Sequence, residues 1–223
     1  MQEINTFLFD LDGTLVDSVP DLATALNKML SDHQLPTYDE HVIRHWVGNG
    51  ARVLVERGLS GGAEINHHHM QSDVDALLEK FLFYYRTLDT KSTALYEGVF
   101  DTLHALKQRG CTLALITNKP SEFIEPILSS FSLSSLFSLT IGGDSLSEKK
   151  PSALPLLHAC EQLNISPSQC VMVGDSKNDI LAAKAANIKS IGLTYGYNYG
   201  ESIATYQPDW VFDSFSEILT LHY

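Results

Sequence analysis

Six short runs of apolar and β-branched residues, each halted by a polar or glycine-containing cluster, limit most strongly how this chain can fold. They are Thr6–Phe9, Thr112–Ile116, Leu139–Ile141, Cys170–Val173, Ser190–Leu193 and Trp210–Phe212. Runs this short and this apolar fit strands buried on both faces, and helical patterns lie between most of them. Val99, Leu103 and Leu106 follow an i, i+4, i+7 spacing that ends near Gly110, a natural helix stop. Phe123, Ile124, Ile127, Leu128 and Phe131 form another helical set, in which Pro126 is expected to kink or shorten the helix. A short Ala-rich helix is expected over Ile180–Ala186. Strands alternating with helices predict an α/β fold with a parallel sheet.

The stretch from 17 to 90 breaks this rhythm and reads as helix only. Ser18-Val-Pro-Asp21 has the form of a capping box before the stripe Leu22, Ala25, Leu26, Met29 and Leu30. Ser72-Asp-Val-Asp75 opens a second helix with Val74, Leu77, Leu78, Phe81 and Tyr85 on one side. The expected organisation is an α/β core domain of residues 1–16 and 91–223, with a helical cap domain, 17–90, inserted after the first strand.

Composition narrows the partners. With 15 basic and 27 acidic residues the chain carries a net charge of −12, which repels nucleic-acid phosphates and anionic membrane surfaces. No apolar run approaches the ~18–20 residues that would cross a bilayer. Neither nucleic acid nor membrane is an expected partner, and a cytoplasmic location is. Cys111, Cys160 and Cys170 lack paired spacing and read as core residues in a reducing compartment. His67-His68-His69 resembles a metal tract, but adjacent histidines cannot share one helical face, so a solvated loop is expected.

The most informative string is Phe7-Leu-Phe-Asp10-Leu-Asp12-Gly13-Thr-Leu15. In an open α/β sheet, ligands collect beyond the carboxyl ends of strands. Two carboxylates placed there repel each other and an anionic substrate unless a divalent cation sits between them. Asp-x-Asp alone is better read as a strand ending in a turn.

The wider string resembles the first motif of the haloacid dehalogenase-like superfamily, the aspartate-nucleophile phosphotransferases. That resemblance implies a Rossmann-like parallel-sheet core with a helical cap. It makes Asp10 the nucleophile and Asp12 the general acid and base, with Asp12 also holding Mg2+ through its backbone carbonyl. Three further strings fall in the family's order. Thr117-Asn118, after the run ending at Ile116, matches the hydroxyl motif that binds phosphoryl oxygens. Lys149-Lys150-Pro151 matches the lysine motif, with Lys150 assigned the role and Lys149 the alternative. Val171-Met-Val-Gly-Asp175-Ser-Lys-Asn-Asp179 matches the acidic motif. By resemblance Asp10, Asp12 and Asp175 hold Mg2+, while Asp179 supports a metal-bound water or Lys150 from outside the ligand set.

Beyond these motifs the chain is similar to the bacterial phosphoglycolate phosphatases. Matching strings include Trp46-Val-Gly-Asn-Gly-Ala51, Gly142-Gly-Asp144 and Gly196-Tyr-Asn-Tyr-Gly-Glu201. The similarity implies a phosphomonoesterase acting on a small anionic phosphate ester, 2-phosphoglycolate first, in a monomer or homodimer. A β-phosphoglucomutase-like sugar phosphomutase, or a phosphatase of pyrophosphate or nucleotide monophosphates, is the alternative. Phosphate is expected to meet Lys150, Thr117, Asn118 and the amides near Gly13. The substrate carboxylate is expected to meet the loop of Asn49 and Gly50, with Arg44 or Arg52 as candidate cations.

Overall fold

β1 (Thr6–Phe9) is buried along its whole length, because strands flank it on both sides and helices cover both of its faces. The computed structural model describes residues 4–66 and 71–221, apart from the side chains of Gln71 and Ser72. His67–His69, and the loop expected there, lie outside the described residues. After β1 the chain forms β2 (Val16–Asp17), α1 (Val19–Asp32), α2 (Glu40–Arg44), α3 (Ala51–Ser60), α4 (Gln71–Leu88) and β3 (Ala94–Leu95). It continues through α5 (Val99–Gln108), β4 (Thr112–Ile116), α6 (Ile124–Ser130), β5 (Leu139–Ile141) and α7 (Leu154–Leu163). β6 (Cys170–Gly174), α8 (Lys177–Ala185), β7 (Lys189–Leu193) and β8 (Trp210–Phe212) complete it.

All six runs read as strands lie in one sheet, ordered β5-β4-β1-β6-β7-β8. Every pairing in it is parallel. Side chains alternate across the pleat. Phe7, Phe9, Leu113, Leu115, Val171 and Val173 therefore face one helical layer, packing on Val99 and Leu103 of α5 and Ile127 of α6. Leu8, Ala114, Ile116 and Met172 face the other, against Leu156 of α7 and Ala182 and Ala183 of α8. The chain winds from β1 through β4 to β5 on one side, then crosses to β6, β7 and β8 on the other. Loops leaving β1, β4 and β6 part at this reversal and leave a crevice at the carboxyl ends of the strands.

Between β2 and β3, helices α1, α3 and α4 bury a separate apolar cluster of Leu26, Met29, Leu30, Val55 and Phe81, joined by Phe123 and Tyr197 from the sheet-bearing part. Two local expectations are corrected. The ends of this helical stretch pair as an antiparallel ribbon, Val16 opposite Leu95 and Asp17 opposite Ala94, which strands this short could not announce in sequence. No capping box closes the start of α1. Ser18 caps no backbone amide, and its hydroxyl donates to Asp12 Oδ1 at 2.5 Å. Asp21 instead accepts hydrogen bonds from the Ser92 amide and the Thr93 hydroxyl, tying the start of α1 to the returning chain.

Pro126 does shorten a helix, though without a kink. It sits in the first turn of α6, where its missing N–H has no partner to lose, and a 3-10 turn at Ser121–Phe123 precedes it. The three cysteines are buried. Among the described residues, no helix is long and apolar enough to cross a membrane.

Candidate active site

Three strand tips converge. Asp10 follows β1, Thr117 follows β4 and Asp175 follows β6; all three are buried. Asp179 lies in the first turn of α8, held by a reciprocal cap with Ser176, whose amide and hydroxyl donate to Asp179 Oδ2 at 3.0 and 2.9 Å. Lys150 reaches in from the loop before α7 and is only 1% exposed. Its three ammonium protons have three acceptors: Ile116 O at 2.6 Å, Asp179 Oδ1 at 2.7 Å and Asp10 Oδ1 at 3.0 Å. Lys149 points elsewhere, donating to Asn49 O at 2.6 Å.

Asp10 Oδ1 also accepts from the Leu11 amide at 2.8 Å. Both interactions fall on Oδ1, and Oδ2 has no hydrogen-bond partner among the described residues. Burial pushes the Asp10 carboxyl up to about 7, against the opposing pull of Lys150 and with a further push from Asp179. Burial likewise drives Asp175 well above the usual carboxylate range, reinforced by Asp179 and Asp10. Asp175 is oriented through both oxygens: Thr14 Oγ1 donates to Oδ1 and the Tyr197 amide to Oδ2, each at 2.7 Å.

Asp12 lies beside this group and has its own partners. Besides Ser18, Lys119 Nζ contacts Oδ1 at 2.9 Å and Oδ2 at 3.2 Å. Burial opposes the charge on Lys119, yet Asp12 and the Tyr85 hydroxyl raise its pKa. Lys119 was absent from the residues singled out by sequence. The signal was its place directly after Thr117-Asn118, since a residue on a strand-tip loop of such a sheet faces the crevice. Ser18 gave only a false capping signal.

A cavity opens onto Asp10, Asp12, Thr117 and Lys119. Its far wall comes from the helical layer, with Leu22, Leu54, Phe81 and Tyr85. Thr117 Oγ1 accepts from the Lys119 amide at 3.2 Å, which leaves its proton free to donate. Asn118 Nδ2 uses both protons, on Gly48 O at 3.0 Å and Lys150 O at 2.9 Å, so only its backbone amide remains for phosphate.

Other expected contacts change. The Gly13 amide is bonded to Val16 O at 2.9 Å and is not free for phosphate. Gly13 is needed for closeness instead: its φ is +87°, and a Cβ there would lie 2.4 Å from Asp175 Oδ2. Gly50 lines the cavity. Asn49 turns away from it, its Oδ1 accepting from the Tyr199 hydroxyl at 2.8 Å. Neither arginine lines the cavity. Arg44 forms a two-pronged pair with Asp17, both contacts at 3.0 Å, and Arg52 pairs with Asp75.

The residues suit a hard divalent cation. Asp10, Asp175 and Asp179 each offer an oxygen, and these oxygens lie within 4.8 Å of one another. Counting Asp12, four carboxyl groups face two lysines, so two negative charges are in excess once all four are ionised. An all-oxygen set with that excess could hold such an ion. Asp179 is the most satisfied of the three, with two donors on one oxygen and Lys150 on the other. The Asp12 carboxylate stands outside this group, held by Ser18 and Lys119.

Residues 7–193 match the family model of the haloacid dehalogenase-like hydrolases. Over 219 residues the chain is 54% identical to a phosphoglycolate phosphatase of Colwellia psychrerythraea, covering 98% of this chain and 97% of that protein. A phosphoglycolate phosphatase of Psychrobacter arcticus is 47% identical over 213 residues, covering 95% and 93%. Among solved structures, a predicted phosphoglycolate phosphatase from Haemophilus somnus matches with a TM-score of 0.92 at 43% identity, covering 99% of this chain and 98% of that one.

Proposed function

The chain belongs to the haloacid dehalogenase-like hydrolases, and from that premise we propose that it is a Mg2+-dependent phosphatase converting 2-phosphoglycolate to glycolate and phosphate. One observation carries the reading most directly. Asp10 opens onto the cavity with one oxygen tied to Lys150 and the Leu11 amide, and the other without a hydrogen-bond partner. The substrate is the one named for relatives that match this chain over nearly its full length.

In this reading Asp10 Oδ2 attacks phosphorus, the ester P–O bond breaks, and Asp12 gives its proton to the departing glycolate oxygen. Water then attacks the phosphorus of the aspartyl-phosphate, Asp12 takes the water's proton, and the bond to Asp10 breaks to release phosphate. Lys150 faces the reacting oxygens with positive charge, while the Thr117 proton and the Asn118 amide meet phosphoryl oxygens. Asp10, Asp175 and the Asp12 carbonyl would hold Mg2+, whose charge would let a carboxylate and a phosphate dianion approach each other. Helices α1–α4 act as a cap over the cavity, flexing at 15–18 and 87–93 to admit substrate and exclude water.

Phosphate release from a panel of small phosphomonoesters, with and without Mg2+, tests the reading. Turnover of 2-phosphoglycolate that needs Mg2+ and vanishes in Asp10→Asn is expected. Equal turnover of the whole panel, or activity in Asp10→Asn, overturns it.

A further inference from the structure

The substrate assigned above carries a carboxylate two carbons from the ester oxygen, and in a chain of net charge −12 its recognition must be local. Resting on that reading, we propose that Lys119 and Tyr85 receive this carboxylate and set the enzyme's preference for acidic leaving groups.

Three observations carry the assignment. Lys119 is the one Lys or Arg among the described residues lining the cavity, and it is 4% exposed. Lys150 lies behind Asp10, and both arginines are paired elsewhere. Tyr85, from the helical layer, is 6% exposed, lines the same cavity and keeps a buried hydroxyl whose proton has no acceptor among the described residues. The Lys119 ammonium lies over the Tyr85 ring, 4.7 Å from its centroid. A cation and an unpartnered donor thus meet at one spot, one from each side of the cavity.

Position gives the pair its selectivity. Lys119 contacts both oxygens of Asp12, the residue assigned to protonate the leaving oxygen. A carboxylate drawn to this ammonium therefore brings its own ester oxygen next to the acid. Leu22, Leu54 and Phe81 line the surrounding wall, and the exclusion of water there strengthens the charge interaction. A leaving group with no acceptor there leaves the Tyr85 hydroxyl unpaired, which is how a buried polar site rejects an analogue. Lys119 touches the substrate in this assignment, so it is a specificity residue as well as a partner of Asp12.

The experiment compares kcat/KM for 2-phosphoglycolate with that for 2-hydroxyethyl phosphate, in which a hydroxymethyl group replaces the carboxylate. In Lys119→Met the ratio of the two should fall by about 100-fold, as expected when one partner of a buried charged contact is removed. In Tyr85→Phe it should fall by about 10-fold, and inhibition by glycolate should weaken in both variants. Equal loss on both substrates would mean that Lys119 only holds Asp12, and would overturn the proposal. Should Lys119→Met fail to fold, Tyr85→Phe decides: an unchanged ratio and unchanged glycolate inhibition refute the pair. A wild-type enzyme with no preference for 2-phosphoglycolate overturns the substrate reading and this proposal together. A preference that survives Lys119→Met overturns the lysine assignment alone.

Discussion

The Lys150 ammonium donates to Asp179 Oδ1 at 2.7 Å with both side chains almost wholly withdrawn from water. The same ammonium stands 3.0 Å from Asp10 Oδ1, so one cation balances two of three buried carboxylates. Burial works against its charge, but the two aspartates raise its pKa and keep it protonated.

Removing that cation should therefore be costly. Lys150→Ala is expected to destabilise the metal-free protein by roughly 3–5 kcal/mol, the range for breaking a buried ion pair from one side. Urea unfolding measures this. A loss below about 1 kcal/mol would mean that the carboxylates relax by taking up protons.

The stability of the metal-free protein should fall as pH rises. Asp10 ionises near pH 7 when folded, and an unfolded aspartate ionises near 4. Between these values the folded state holds a proton that the unfolded chain has released, so the stabilisation is complete in acid and is lost as pH rises through about 7. Asp175 acts in the same direction. Calorimetry with a chelator should show melting temperature declining from about pH 5 to 8, and Mg2+ should raise it most at the alkaline end. A flat profile would contradict the raised carboxyls.

Ser18→Ala should lower kcat by about 10-fold with little change in KM, because the Ser18 hydroxyl orients the Asp12 carboxyl. Steady-state kinetics on 2-phosphoglycolate decides. If KM alone moves, Ser18 serves binding.

Gly196→Ala should weaken Mg2+ binding by about 10-fold or more, since a Cβ there would fall 2.1 Å from the Asp175 Cβ and push that side chain aside. Isothermal titration with Mg2+ reads the effect directly, and an unchanged Kd would show that the loop yields instead.

Arg44→Ala and Arg52→Ala should leave the rate ratio of 2-phosphoglycolate to an aryl phosphate unchanged, because their partners are Asp17 and Glu40 for one and Asp75 for the other. A shift in that ratio would bring an arginine into the site when substrate is bound.

Some of this was legible residue by residue. Asp10, Asp175 and Thr117 each end a short apolar run, and a parallel sheet gathers such ends on one edge, so local pattern placed each of them there while the family resemblance grouped them as one site. Asp179 was equally readable, since Ser176 three residues earlier marks a helix start that turns it toward Asp175. Lys149 and Lys150 differ by one position and point to opposite places, to Asn49 and to Asp10. An extended segment predicts that they diverge but not which one faces inward.

Strand periodicity and turn chemistry act over a few residues, which is why the strands and the carboxylates at their tips could be read from the amino acids alone. Contacts between residues distant in the chain carry no such trace. Ser18 looked like a cap until the fold set Asp12 within reach. Lys119 was not singled out at all, and the Tyr85 ring against it comes from a helix more than 30 positions earlier. The interior of the cavity arises only when the helical layer packs across the sheet edge, because burial and charge pairing depend on proximity in space.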